Sequence, residues 1–172
     1  MEFPANLKTN FYNKGAILLR KDSISKYAHK VVKGCQKSYV IDHTGKEHIL
    51  QFAPEDWLIS DLDSFVNNKP WTLFIEAIED SEVICFDKSD FEIFESLDKK
   101  VLLEQIRTLR RNIIATNKRL TMFLCSTGEE RYLDFIQTYP TLMQRLPLKL
   151  IASYIGVTPV YLSEIRKKLA GK

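Results

Sequence analysis

Three absences narrow the reading of this sequence at once. Cysteine is scarce: Cys35, Cys85 and Cys125 are odd in number, widely spaced and form no CxxC pair. That argues against a disulfide framework and against the thiolate sets that hold structural zinc or iron–sulfur clusters. A reduced, cytoplasmic protein is the expectation. No apolar run approaches the ~18–20 residues of a membrane span. The N-terminus, with Glu2, Pro4 and Asn6, lacks the charged-then-apolar order of a signal peptide. Catalytic signatures are missing too, with no P-loop, GxGxxG or Ser/His/Asp grouping. His29, His43 and His48 form no HxH pair and have no Glu at the spacing of a cupin metal site. They read as surface histidines, with only His48 in a strand. Neither an enzyme, a cofactor nor a metal is expected; a cupin-type enzyme would have to show bound metal.

What is present describes an ordinary globular chain. Its 172 residues are 45% hydrophobic and 27% charged, enough for one domain or two small ones. The net charge of +3 conceals a division. Residues 1–98 carry 11 Lys/Arg against 17 Asp/Glu, a net of −6. Residues 99–172 carry 14 against 5, a net of +9. A basic second half points to a polyanionic partner if a nucleic-acid-binding element lies there.

Leu102 to Phe123 is the organising stretch. Leu102, Ile106, Leu109, Ile113, Thr116, Leu120 and Phe123 recur at spacings of 4 and 3, three heptads of an a/d seam. Arg107, Arg110, Arg111, Asn112, Asn117, Lys118 and Arg119 stand between them, so the seam reads as the apolar face. No Gly or Pro interrupts the run. A helix about 30 Å long with so narrow a seam suits pairing with a second copy of itself. Packing on its own domain is the other reading.

Before it, residues 8–52 read as short strands, among them Ala16–Leu19, Tyr39–Ile41 and His48–Phe52. Turn chemistry bounds them at Asn13-Lys14-Gly15, Lys33-Gly34 and Asp42-His43-Thr44-Gly45. Residues 73–87 read as two more strands broken near Glu79–Ser81. Trp57, Leu58, Leu62 and Phe65 lie at helical spacing and predict a short helix over 55–66. Many short strands with one small helix suggest a β-roll or barrel.

After it, Ser126 or Thr127 can cap a helix whose Glu129 and Glu130 suit its positive end. That helix runs from Arg131 to Tyr139 and stops at Pro140. Residues 146–169 carry the sharpest signal. Ala152 lets a second helix cross closely, and Gly156, four residues on, supplies a left-handed turn. Ile151, Ile155, Val157, Leu162 and Ile165 fill the apolar positions. Thr158 can cap the next helix and Pro159 fits its first turn. Together these predict a helix-turn-helix. At ~100° per residue, Leu162, Ile165 and Leu169 mark the buried side, while Val160, Ser163, Glu164 and Lys167 face away. On DNA, Val160 would meet a thymine methyl, Glu164 a cytosine amino group and Ser163 a base or phosphate. Lys149, Arg166, Lys167 and Lys168 suit phosphates. Glu164 could instead pair with Lys168 one turn on.

Asn13-Lys14-Gly15, Lys33-Gly34-Cys35, the segment from Asp42 to Trp57 and that from Ile75 to Val83 resemble the cyclic-nucleotide-binding-like domain of bacterial Crp/Fnr-type transcription regulators. Residues 129–140 and the helix-turn-helix resemble the DNA-binding end of the same family, so the likeness runs over nearly the whole chain. It implies an α+β architecture in three parts: a double-stranded β-roll over 1–94, a dimerisation helix over 95–125 and a helix-turn-helix domain over 126–172. The chain stops soon after the second helix, so a β-wing is expected to be shortened or absent. The Gly-Glu pair that holds the ribose in nucleotide-binding members falls on Ser60-Asp61 here. The phosphate-binding Arg falls on or beside Trp71, with Lys69 the nearest cation. A cyclic phosphate needs a cationic cradle, so a response to cyclic nucleotides is not expected. Family members commonly carry Arg where Pro159, Val160 or Glu164 stand, so their usual operator is not expected either. The resemblance implies double-stranded DNA, a second copy of the chain, RNA polymerase and a small-molecule effector as partners, and no membrane. A small-molecule-binding roll whose helix-turn-helix serves only dimer or partner contact is the alternative.

Overall fold

The computed structural model describes residues 9–70, 73–88, 90 and 99–171. Its first part is built from β1 (Thr9–Tyr12), β2 (Ile17–Leu19), β3 (Ala28–Lys33), β4 (Gln36–Ile41), β5 (Glu47–Ala53), β6 (Leu58–Ile59), β7 (Phe74–Ala77) and β8 (Ser81–Phe86), with α1 (Leu62–Asn67) between β6 and β7. These strands form two antiparallel sheets, ordered β1-β8-β3-β6 and β2-β7-β4-β5. The α+β reading and the β-roll are observed. The Asp-x-x-Gly hairpin between β4 and β5 forms as expected. Asp42 Oδ1 accepts from the N–H groups of Thr44 (2.8 Å) and Lys46 (3.1 Å), and Gly45 takes φ +83°.

Helices follow: α2 (Lys99–Cys125), α3 (Gly128–Thr138), a 3-10 turn at Leu142–Gln144, α4 (Leu148–Ile155) and α5 (Pro159–Ala170). Thr127, rather than Ser126, caps α3. Its hydroxyl accepts from Glu130 N–H while the Glu130 side chain accepts from Thr127 N–H, so two orphan donors are satisfied reciprocally.

Alternation along β4 decides how these parts join. Val40 packs toward the roll interior among Val31, Ala53, Ile59, Ile75 and Val83. Cys35 and Tyr39 point the other way, into a second cluster with Ile49, Phe52, Phe135, Tyr139, Leu146, Ile151 and Tyr154. The helical end and the roll therefore share one apolar core. Phe52 lies 5.1 Å from Tyr154 and 6.1 Å from Phe135, centroid to centroid. Each large side chain fully buried there contributes about 1.5–3 kcal/mol.

The long helix uses two faces. Asn112 Nδ2 donates to Leu58 O (2.9 Å), Arg111 donates to Asp56 O, and Arg119 donates to Leu50 O (2.6 Å), Ile49 O (2.7 Å) and Tyr154 O (2.9 Å). Residues read as polar spacers thus fasten α2 to its own domain. The opposite face stays open and is wider than a two-residue seam. Leu103, Ile114 and Leu124 are exposed beside Leu109, Ile113 and Leu120.

Two expectations are corrected. Residues 55–66 do not form one helix. Leu58–Ile59 is a strand pairing with Lys30 and His29, and Asp56 takes φ +66°, which no helix tolerates. The helix begins only at Leu62, capped by Asp61. His29 is not on the surface: it sits in β3, 4% exposed. Burial pushes its imidazole down to about 4, so it is neutral. Pairing of β3 with β6 and β8 places it inside the roll, which its neighbours in sequence do not signal.

Candidate nucleic-acid interface

The helix-turn-helix forms from local chemistry. Gly156 ends α4 in the left-handed region at φ +70°, its N–H on Ala152 O and Ser153 O. Thr158 then caps α5, accepting from Tyr161 N–H (3.1 Å), with Pro159 at the first position. Ile151, Ala152, Ile155, Leu162 and Ile165 are buried. A methyl group at Gly156 would lie 2.6 Å from Phe123 Cε1, so the absence of a side chain lets α2 approach the turn.

The outward face of α5 carries the expected residues. Val160 is 71% exposed, and Glu164 and Lys167 are exposed beside it. Ser163 is half-buried, and its hydroxyl donates to Pro159 O (2.9 Å), which occupies its proton but leaves its lone pairs. Lys149, Arg166 and Lys167 are exposed, and no ion pair engages them among the described residues. Lys168 pairs with Glu129 of α3 at 2.5 Å, not with Glu164. Helix packing brings a carboxylate of α3 closer than the one a turn away on α5. Thr158 uses its hydroxyl on the helix cap.

Four side chains that sequence patterns did not single out hold this unit in place. Arg131 donates to Ile155 O (2.8 Å) at the end of α4 and to Ser126 O (2.7 Å). Ser153 donates to Glu47 O (2.8 Å) and accepts from Ile49 N–H (3.3 Å), covering the free edge of β5. Arg119, with its guanidinium 4.2 Å over the Tyr154 ring, joins α2, β5 and α4. Arg145 donates to both oxygens of Glu55 (2.9 and 3.0 Å) and both of Glu79 (2.6 and 3.0 Å). Apart from the Arg131–Ser126 bond, their partners lie 24 or more residues away, so no local signal announces them.

Of the expected dimer residues, Leu102, Leu109, Ile113, Thr116 and Leu120 are exposed and Ile106 is half-buried. Phe123 is partly exposed, but its ring lies against Gly156 and under the guanidinium groups of Arg119 and Arg131, each 5.0 Å away.

The profile of the cyclic nucleotide-binding domain matches residues 9–95. This chain belongs to the cyclic-nucleotide-binding-domain family. Solved structures of Crp/Fnr-type regulators share its whole fold. FixK2 from Bradyrhizobium japonicum superposes with a TM-score of 0.77 at 19% identity, over 96% of this chain and 85% of that one. The c-di-GMP-responsive global regulator CLP of Xanthomonas campestris gives 0.75 at 12% identity, covering 97% and 88%. A Crp/Fnr-family transcriptional regulator from Thermus thermophilus gives 0.70 at 13% identity, covering 95% and 86%. No curated protein matches the sequence significantly.

The roll residues expected at the family's ligand motif take the following positions. Asp61 is buried and caps α1, its Oδ1 accepting from Ser64 N–H at 3.0 Å. Burial raises its carboxyl above the ordinary range, against that hydrogen bond. Ser60 is half-buried, and its hydroxyl has no hydrogen-bond partner among the described residues. Lys69 is exposed. Trp71 lies outside the described residues. The three histidines stand apart chemically: His29 is buried, His48 pairs with Asp42 at 2.6 Å, and His43 is in the hairpin turn. Among the described residues no group of three or more His, Cys, Asp or Glu could hold a metal. No helix among them is long and apolar enough to cross a membrane.

Proposed function

We propose that this chain is a homodimeric, DNA-binding transcription regulator of the Crp/Fnr type. One observation carries the reading: a left-handed turn at Gly156 and a cap at Thr158 aim α5 outward. Val160, Glu164 and Lys167 are then exposed opposite the buried Leu162 and Ile165. An α-helix so presented fits the major groove, where side chains near its N-terminus read base edges. Lys149, Arg166 and Lys167 supply phosphate contacts, while Lys168 is held by Glu129 and contributes less. Pairing through the open apolar stripe of α2 would set two recognition helices about one DNA turn apart.

The roll serves as scaffold or takes an effector other than a cyclic nucleotide. Asp61 is committed to the α1 cap, and the arginine that grips a cyclic phosphate in nucleotide-binding members falls on or beside Trp71 here, with Lys69 the nearest cation. An effector acts by favouring one orientation of the helical end over another, through differential affinity. RNA polymerase is the further partner such a regulator would meet.

Titration of the purified protein into fragmented DNA of its own genome, at two salt concentrations, tests the reading. Sequencing of retained fragments should reveal a palindromic site, lost in a Ser163→Ala/Lys167→Ala chain. Absence of retention at low salt would refute DNA binding and favour the small-molecule-binding alternative.

A further inference from the structure

We propose that the β4–β5 hairpin of the roll is part of the DNA-binding surface, with Lys46 gripping a backbone phosphate beside the recognition helix. This rests on the reading of α5 as that helix. Ser153 ties the hairpin end of β5 to α4 through Glu47 O and Ile49 N–H. Lys149 stands four residues before Ser153, one turn toward the N-terminus on the same helix face. The result is an open cleft of about 410 Å3, lined on one side by Lys46 and on the other by Lys149, Val157 and Pro159. It therefore runs from the roll directly to the N-terminal end of α5, the end that approaches the bases.

The charges in the cleft suit a phosphate chain. Its two carboxylates, Glu47 and Glu76, are both engaged by the buried Lys37, whose Nζ lies 2.9 and 3.2 Å from them. That trio keeps one negative charge, which Lys46 and Lys149 together exceed. Both lysines are exposed, and no ion pair engages either among the described residues. Phosphates flanking a recognition helix need such mobile, unpaired cations, which contribute affinity but no sequence information. A DNA-binding footprint confined to α4 and α5 would leave Lys46 idle.

The test measures binding of a fluorescent mixed-sequence DNA duplex across a salt series. Each phosphate contact contributes ~0.9 to the slope of log K against log salt. Lys46→Ala should lower the slope by about that amount, so that the wild-type advantage grows about eightfold for each tenfold dilution of salt. Lys46→Arg should preserve the slope. Lys26→Ala, in a different cleft beside Tyr27 and Asn68, should leave it unchanged. Thermal melts of all variants check folding, since the backbone of Lys46 holds the hairpin and its side chain does not. An unchanged slope in Lys46→Ala overturns the inference while DNA binding by α5 stands. Equal losses in Lys46→Ala and Lys26→Ala also overturn it, as a general effect of net charge. No salt-dependent binding by the wild type refutes the DNA reading itself, and this inference with it.

Discussion

Removing the Arg145 guanidinium should loosen the helical end from the roll, and the size of the effect follows from its partners. Arg145 holds Glu55 and Glu79 through two bidentate pairs. The three side chains are 26%, 40% and 27% exposed, so the network is neither surface nor core. Exposed pairs contribute about 0.2–1 kcal/mol, whereas hydrogen bonds to charged groups contribute about 1.5–3 kcal/mol. Arg145→Ala also leaves two carboxylates facing each other. A loss of about 2 kcal/mol is the expected outcome, lowering the melting temperature by about 4–8 °C for a chain of this length. Acid adds a second signature. Burial pushes the Glu55 carboxyl up, but hydrogen bonds and charge from Arg145 outweigh it, so its pKa lies below the ordinary 4.5. A group depressed in the folded state stabilises fully above its unfolded pKa and loses that stabilisation as pH falls through the folded value. The gap between wild type and Arg145→Ala should therefore be wide at pH 7 and narrow as pH falls from the ordinary carboxylate range through the lower folded value. Urea titration of both chains, with Glu55→Gln and the double variant completing a cycle, measures this. An Arg145→Ala chain within about 0.5 kcal/mol of wild type at pH 7 and low salt would refute the stabilising role of this network.

Gly156→Ala forces a side chain into the left-handed region and against Phe123; it should lower stability by about 1–2 kcal/mol from backbone strain alone, and an unchanged melt would mean that the turn relaxes freely. His29 is neutral when folded, its pKa lowered to about 4 from 6.5 by burial. Unfolded chains bind that proton first, so stability should fall as pH drops from 6.5 toward 4, by about 3 kcal/mol at the bottom. His29→Phe should flatten that limb; equal acid sensitivity would assign it to another group. Ile113, 59% exposed on the α2 stripe, should be covered in a dimer. Sedimentation should give a dimer for wild type and a monomer for Ile113→Glu, and a wild-type monomer would refute pairing through this face.

The helix-turn-helix was legible in the chain because its requirements are local. Ala152, Gly156, Thr158 and Pro159 lie within eight positions, and a left-handed residue followed by a cap needs no distant partner. The heptad spacing of α2 was readable for the same reason, since helical periodicity is a property of neighbours. What escaped depends on residues far apart. Leu58–Ile59 looked helical beside Leu62 and Phe65, yet β3 supplied a strand to pair with. His29 was buried by the closing of a sheet, not by its own surroundings in sequence.

Local chemistry thus determined most of the elements: the turns that bound short strands, a long heptad helix, and two short helices around a glycine. Only the tertiary structure decided how they are joined. Arg145 meets Glu55 across 90 positions, and Ser153 meets Glu47 across 106. Closing such distances costs chain entropy that grows only slowly with separation, so sequence distance leaves little trace of which pairs form. The shared apolar core selects them by shape and burial, and in doing so sets the roll hairpin beside the helix proposed to read DNA.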